Sequence, residues 1–321
     1  MRIATIICTY NRAESLRQTL TTLVAAERPP GVEWEVLVVD NHSTDHTKQV
    51  CREFDGKLPI RYCMEPTPGK SAALNTAIRT TAAELLLFTD DDVDVDPLWL
   101  KAFAGAAERM PEAPFFAGRI LARLEGRPPR WFADHAQSIL SQLTVHLDGG
   151  EGERPLDFAY GANMAIRVEV FRKGISFRSD LGPVGAKRVP SEEAQLFQDI
   201  RVARGPDAPP GAYIPSALLY HRTNSSRMTE AYVRQWYYAD GVARVRRNQI
   251  NSGKLLFNVP RYAWRELLVS AARYAVLRPF APSKSWLLQE MTMARTFGII
   301  SELRRRSKIT PAADKSQRPC T

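Results

Sequence analysis

The 321-residue chain lacks any long apolar run. Its longest apolar stretches, such as 267–277, are cut by charges like Arg273, short of the ~20 clean apolar residues that span a bilayer. At the N-terminus a short run, 3–8, ends on the polar Thr9-Tyr10-Asn11-Arg12, so no secretory leader is expected. The expected location is cytoplasmic. Cysteine is scarce: Cys8, Cys51, Cys63 and Cys320 show no CxxC spacing. That argues against a zinc site and a disulfide framework, and free thiols are expected. A complete phosphate-binding loop is missing too. Gly69-Lys70-Ser71 has the ending of one, but Met64 stands where its first glycine belongs. There is no internal repeat, no low-complexity tract, and no zinc-finger or RNA-recognition signature, so nucleic acid is not an expected partner.

What is present is ordinary globular composition, 44% hydrophobic and 25% charged, enough to bury a core without staples. The charge is unevenly placed. Residues 222–321 hold 19 Lys+Arg against 6 Asp+Glu, whereas the remainder is slightly acidic. A basic C-terminal third implies an anionic surface as partner.

Residues 1 to about 120 alternate short Val/Ile/Leu-rich runs (3–8, 36–39, 58–62 and 85–88) with helical patterns at 13–26, 45–54 and 71–82. Near-continuous apolar runs of this length suit parallel strands covered on both faces. The alternation predicts an α/β layer structure. Residues 123–157 read as loop-rich, 161–166 as a turn entering a strand, 192–203 as a helix, and 212–220 as a strand ending at His221. From about Thr229 to Arg306 the pattern is helical in three pieces, broken at 251–253 and 279–282. The expected domains are 1–225 (nucleotide-binding to about 120, acceptor-binding from 121), a basic helical extension, 226–308, and a disordered tail, 309–321.

In open α/β sheets ligands sit beyond the carboxyl ends of the strands. Three such ends here are polar: Thr9-Tyr10-Asn11-Arg12, then Asp40 with Asn41, Ser43 and Asp45, then Asp90-Asp91-Asp92. In an extended chain residues i and i+2 face the same way. Asp90 and Asp92 are therefore expected to aim at one point, with Asp91 turned aside. Each like-charge pair at ~4 Å costs about 1 kcal/mol even in bulk water, so a cation is the natural reason to keep them together. Hard oxygen ligands suit Mg²⁺ or Mn²⁺. The competing reading is a solvated loop capping a helix. Asp40 is placed to accept from a ribose or base, or it builds a turn with Ser43 and Asp45. Lys70 is placed to meet a phosphate. His221 is a metal ligand or a core histidine, and Trp131 a sugar-stacking ring or a core residue.

Taken in order, these segments resemble the family 2 glycosyltransferases, inverting enzymes of the GT-A nucleotide-diphospho-sugar transferase fold. Residues 5–12 are similar to the family's opening strand and loop, and 38–45 to its second strand. Gly69 to Asn75 is similar to its G-x-x-x-A-x-N segment, and Asp90-Asp91-Asp92 to its D-x-D metal motif. Gly161-Ala162-Asn163, Ser191-Glu192-Glu193 and Pro215 to His221 resemble three later segments. The resemblance implies a mixed, mostly parallel sheet flanked by helices, followed here by the helical C-terminal extension. It implies transfer of a sugar from a nucleotide-diphosphate sugar, a UDP-sugar first, to an acceptor hydroxyl. Cell-surface polysaccharide or glycolipid synthesis is the expected setting, with a lipid-linked acceptor among the options.

The resemblance also assigns roles. Thr9, Tyr10, Asn11, Arg12, Asp40, Lys70, Asn75, Asp90 and Asp91 would line the donor site. Asp90, Asp92 and His221 would hold a divalent metal (Mn²⁺ or Mg²⁺). Glu193 would be the general base. Trp131, Gly161, Asn163 and Glu192 would lie on the acceptor side. One departure is visible: the family's usual Glu-Asp pair is Glu192-Glu193 here, which leaves Glu192 as the alternative base. The rival readings are a sugar nucleotidyltransferase, which would want glycines after the first strand, and a nucleotide-sugar-binding relative without a working base. Arg and aromatic residues interleaved after Thr229 suggest peripheral attachment to the inner face of the cell membrane; a helical cap with a solvated basic face is the plainer alternative.

Overall fold

The computed structural model describes residues 1–184, 187–190, 192–250 and 253–309. Chain contacts divide it into two compact units, Met1–Met228 and a second beginning at Thr229. Of the expected tail, 309–321, Ile309 ends a helix and the rest, with Cys320, lies outside the described residues, as do Ser191 and most of the break expected at 251–253.

The first unit runs β1 (Arg2–Thr9), α1 (Ala13–Val24), β2 (Glu33–Asp40), α2 (Thr47–Arg52), β3 (Ile60–Met64), α3 (Lys70–Thr80), β4 (Leu85–Thr89), β5 (Val93–Val95) and α4 (Trp99–Arg109). It continues with β6 (Phe115–Leu124), α5 (Arg130–Ala133), α6 (Ser141–Thr144), β7 (Arg154–Leu156), β8 (Asn163–Arg167) and α7 (Val168–Arg172). It closes with β9 (Gly182–Val184), β10 (Lys187–Val189), α8 (Glu192–Arg204) and β11 (Gly211–Thr223).

Among the described residues the main sheet has the order β3-β2-β1-β4-β8-β6-β11-β5, with β7 on β11. β3, β2, β1 and β4 are mutually parallel. β8 is antiparallel to both its neighbours, and β6 and β11 are parallel again. Strand side chains alternate between the two faces. Ile3 and Ile7 of β1 pack with Leu16, Leu20 and Leu23 of α1 and with Trp99 and Phe103 of α4. Ala4 and Ile6 pack on the other face with Leu74 and Ala77 of α3 and Leu196 and Ile200 of α8. The runs at β1, β2 and β4 are strands with both faces covered, which is why they carry so few polar residues; the run expected at 58–62 is the edge strand β3, which starts at Ile60 and is only half-buried.

Two local expectations are corrected. The loop-rich stretch 123–157 contains α5, α6 and β7. β11 does not stop at Tyr220: it continues to Thr223, because His221 pairs antiparallel with Val93 of β5. His221 is therefore inside a strand. The short β5 gave no readable signal, since three residues, Val93-Asp94-Val95, are too few for alternation to stand out.

The second unit contains α9 (Glu230–Arg246), the hairpin β12 (Leu255–Leu256) and β13 (Val259–Pro260), α10 (Arg261–Leu277) and α11 (Ser283–Ile309). Thr229 caps α9 by accepting from the Tyr232 amide. α9 and α11 approach at two glycines. A Cβ on Gly241 would sit 2.0 Å from the Arg295 carbonyl oxygen, and one on Gly298 would sit 2.1 Å from that of Tyr238. Tyr237 and Trp286 are buried, so these two of the aromatic residues after Thr229 belong to the interior. No described helix is long and apolar enough to cross a membrane.

Candidate active site

The carboxyl ends of β1, β2 and β4 meet along one edge of the sheet. Parallel pairing sets Thr9 beside Asp40 and Ile7 beside Thr89, so the chain leaving β4 turns over the end of β1. There Thr9 donates to Asp91 (2.8 Å) and the Ser15 hydroxyl to the Asp91 carbonyl oxygen (2.7 Å). Asp91 is buried and ion-paired to Arg12. Burial pushes its carboxyl up to about 6 against the pull of Arg12. This residue braces the loop; residues 91 and 92 lie in a turn and not in the extended chain that the i, i+2 argument assumed, and Asp91 shares Arg12 with Asp92.

Asp90, Asp92 and His221 offer ligand atoms that all lie within 4.8 Å of one another. Asp92 and His221 are buried, and Asp90 is partly so. The Asp92 Oδ2 atom accepts from Arg12 Nη2 at 2.9 Å and from Arg227 Nη2 at 3.0 Å. Among the described residues its Oδ1 is buried without a hydrogen-bond partner, and so is Nδ1 of His221. Burial alone would favour the neutral acid. The charges of His221, Arg12 and Arg227 overcome it and hold Asp92 well below the usual carboxylate range. Burial pushes the His221 imidazole down, against Asp92, toward the neutral form that ligates metals. Two carboxylates, one of them with an orphaned buried oxygen, and one imidazole fit a hard divalent cation.

Lys70 joins this group to the glutamate pair. Its Nζ lies 2.7 Å from Asp90 Oδ1. Burial opposes its charge, but Asp90, Glu193 and Glu192 raise it above an ordinary lysine. Glu192 and Glu193 open α8. Burial lifts Glu192 to about 8, helped by the neighbouring Glu193. Glu193 is raised by burial, against Lys70 and a hydrogen bond from the Gly161 backbone. Gly161 must be glycine for that approach: a Cβ would fall 2.3 Å from Glu193 Oε1.

Several other candidate residues hold the frame. Asp40 is buried, accepting from the Ser43 amide (2.8 Å) and the Tyr62 hydroxyl (2.7 Å). Asn11, at φ 50°, accepts from the Thr44 amide (2.7 Å) while its own amide donates to Ser43. Tyr10 is exposed. Asn75 clamps both backbone groups of Phe177. Asn163 is fully buried. It accepts from Trp99 and donates to the carbonyls of Arg119 and Ala217, so its side chain is spent in the core. Trp131 packs edge-on against Phe132.

The chain matches the model of Glycosyl transferase family 2 over residues 4–175. It belongs to that family. One relative is the glucosyl-dolichyl phosphate glucuronosyltransferase of Haloferax volcanii, 22% identical over 61% of this chain and 62% of the relative. The match thus spans less than two thirds of that protein. Another is the succinoglycan biosynthesis protein ExoM of Rhizobium meliloti, 25% identical over 73% of this chain and 71% of the relative. The fold is that of the mannosyltransferase PcManGT from Pyrobaculum calidifontis, solved with GDP-Man and Mn²⁺. The TM-score is 0.60 at 17% identity, covering 95% of this chain and 87% of that one. S. aureus TarS 1-349 with UDP-GlcNAc superposes with a TM-score of 0.53 at 16% identity, over 96% and 92% of the two chains. The GT-A architecture expected from the resemblance is the one observed.

In this family 2 member, sequence reasoning missed Arg227 and understated Arg12. Arg227 lies 135 residues from Asp92 in the chain, and no local spacing signals such a pair.

Proposed function

We propose that the chain is an inverting glycosyltransferase that moves a hexosyl group from a nucleoside-diphosphate sugar to an acceptor hydroxyl. The observation that carries this reading is the convergence of Asp90, Asp92 and His221, linked through Lys70 to a raised glutamate pair. Inverting transfer needs a cation site for the leaving diphosphate and a separate base for the acceptor. The first group supplies one and Glu193 the other.

In this reading the acceptor O–H gives its proton to Glu193 as its oxygen bonds the anomeric carbon. The bond from that carbon to the diphosphate oxygen breaks, and the electron pair leaves with the nucleoside diphosphate. A positioned carboxylate base is typically worth about 10²–10⁴ in rate. Asp90, Asp92 and His221 would hold Mn²⁺ or Mg²⁺, which supplies positive charge against the diphosphate when bound. Asp40, beside Tyr62, would meet the ribose or base, and Lys70 the phosphates. The raised Glu193 stays protonated further up the pH scale than a free glutamate, and is a stronger base once ionised.

Two names among the relatives and neighbours, a succinoglycan biosynthesis protein and a glucosyl-dolichyl phosphate glucuronosyltransferase, support a polysaccharide or lipid-linked acceptor. A UDP-sugar is the first donor to try, with GDP- and dTDP-sugars beside it. The test is release of nucleoside diphosphate from each donor with Mn²⁺ and with EDTA. Release that needs Mn²⁺ and one donor supports the reading; nucleoside triphosphate consumption with no diphosphate release would point to a nucleotidyltransferase instead. The anomeric configuration of the product, read by NMR, decides inversion.

A further inference from the structure

We propose that the outer face of α10, with the β12–β13 hairpin, docks on an anionic lipid surface. The proposal concerns the second unit alone and does not depend on the transfer reaction.

The hairpin exposes an apolar tip. Leu255 is 58% exposed and Phe257 74%. Phe257 and Asn258 form the turn at φ 52° and 62°. A bulky residue is uncommon in that left-handed region, and here it also holds a large ring out in water. Neither feature serves the packing of the unit, which turns Val259 and Ala263 inward against Ile300.

α10 extends the same character for roughly 25 Å, the length of 17 helical residues. Leu268 is 69% exposed, Val276 68% and Phe280, just past the helix, 90%. Arg261, Arg265, Leu268, Ala272 and Val276 follow one another at steps of three or four, so they share one stripe. Arg273 flanks it, four residues from Val269. All of these residues are on the exposed side.

Charge selects the occupant. Residues 253–289 carry Lys254, Arg261, Arg265, Arg273 and Lys284 against a single acid, Glu266, while Arg278 is spent on Glu230 of α9 and the Trp286 ring. Glu266 accepts from Thr296. A second copy of the chain meeting this face about a two-fold axis would set the same cations against each other. An anionic bilayer presents both what the apolar stripe and what the arginines want, and long basic side chains reach the headgroups while their stems stay in the acyl boundary.

The test is sedimentation of the full chain with vesicles of phosphatidylglycerol and phosphatidylcholine, beside pure phosphatidylcholine vesicles. Binding is expected to the anionic vesicles at low salt, with loss at high salt. Leu268→Glu with Val276→Glu, and separately Arg261→Glu with Arg265→Glu, are each expected to weaken it about tenfold or more. These side chains are exposed, so the circular dichroism spectrum should not change. Absence of binding at low salt, or equal binding to neutral vesicles, overturns the proposal. So does a dimer in solution that Leu268→Glu dissolves, which would assign the face to a second copy. Donor-dependent turnover in detergent-free buffer is read in parallel, and it should be the same in these variants.

Discussion

Oδ1 of Asp92, buried and without a hydrogen-bond partner, lies 3.4 Å from Nε2 of His221. The other oxygen of the same carboxylate is taken by two arginines, Arg12 and Arg227. This division fixes which oxygen faces the cation site.

Arg227 is thus a positioning residue. Arg227→Gln takes one donor from Oδ2 and frees the carboxylate to turn. Groups that orient metal ligands are typically worth about 10–100-fold in metal affinity or activity. The Mn²⁺ concentration for half-maximal turnover is expected to rise by about that factor, and the thermal midpoint of the metal-free protein to fall, because the buried Asp92 loses one of its two arginines. An unaltered Mn²⁺ dependence would mean that Asp92 is held by other contacts.

Glu193→Gln keeps the shape of the base and removes its ability to take a proton. Turnover is expected to fall about 10²–10⁴-fold while donor affinity, read by calorimetry, is retained. Unchanged turnover removes Glu193 as the base. If Glu192→Gln abolishes turnover instead, the neighbouring carboxylate is the base. Loss from neither substitution leaves a nucleotide-sugar-binding protein without this chemistry.

Gly161→Ala tests the glutamate's placement without touching its charge. The new methyl would fall 2.3 Å from Glu193 Oε1, so the carboxylate must swing away. kcat is expected to fall about tenfold or more, with little effect on KM for the donor. A variant with wild-type kcat would show that Glu193 acts from another position.

The same glutamates predict how the metal-free protein responds to pH. Glu192 titrates near 8 in the folded chain, against 4.5 for an ordinary glutamate, chiefly because it is buried. Between those values the folded state holds a proton that the unfolded state has released. Stability therefore falls as pH rises through that window. Glu192→Gln removes this penalty, so it is expected to raise the thermal midpoint at pH 8 and to change it less at pH 5. An equal shift at both would show that Glu192 is ionised throughout. Turnover should also rise with pH on its acid side, because Glu193 is raised in the same direction.

The parallel half of the sheet was legible because burial on both faces leaves a run such as Leu85-Leu86-Leu87-Phe88 almost free of polar residues. The acidic end of β4 was legible for the related reason that charge directly after such a run needs an explanation. Strand order was not legible. Nothing local says that β8 inserts antiparallel between β4 and β6, or that β5 pairs back onto β11 and sets His221 beside Asp92. Polar residues misled where the core absorbs them. Asn163 reads as an acceptor contact, yet Trp99 and two carbonyls use its whole side chain. Of the aromatic residues after Thr229, Trp286 and Tyr237 face inward, whereas Phe280 is exposed together with Leu268 and Val276.

In the proposed reading Asp90, Asp92 and His221 grip a divalent cation against a nucleoside diphosphate. The most direct measurement is calorimetric titration of UDP and of GDP into the protein with and without Mn²⁺, repeated for Asp92→Asn. One nucleotide is expected to bind about tenfold or more tightly with Mn²⁺, and Asp92→Asn to abolish this gain while leaving the metal-free affinity in place. Equal affinity with and without Mn²⁺ for the nucleotide that binds, or a full Mn²⁺ gain in Asp92→Asn, would contradict it.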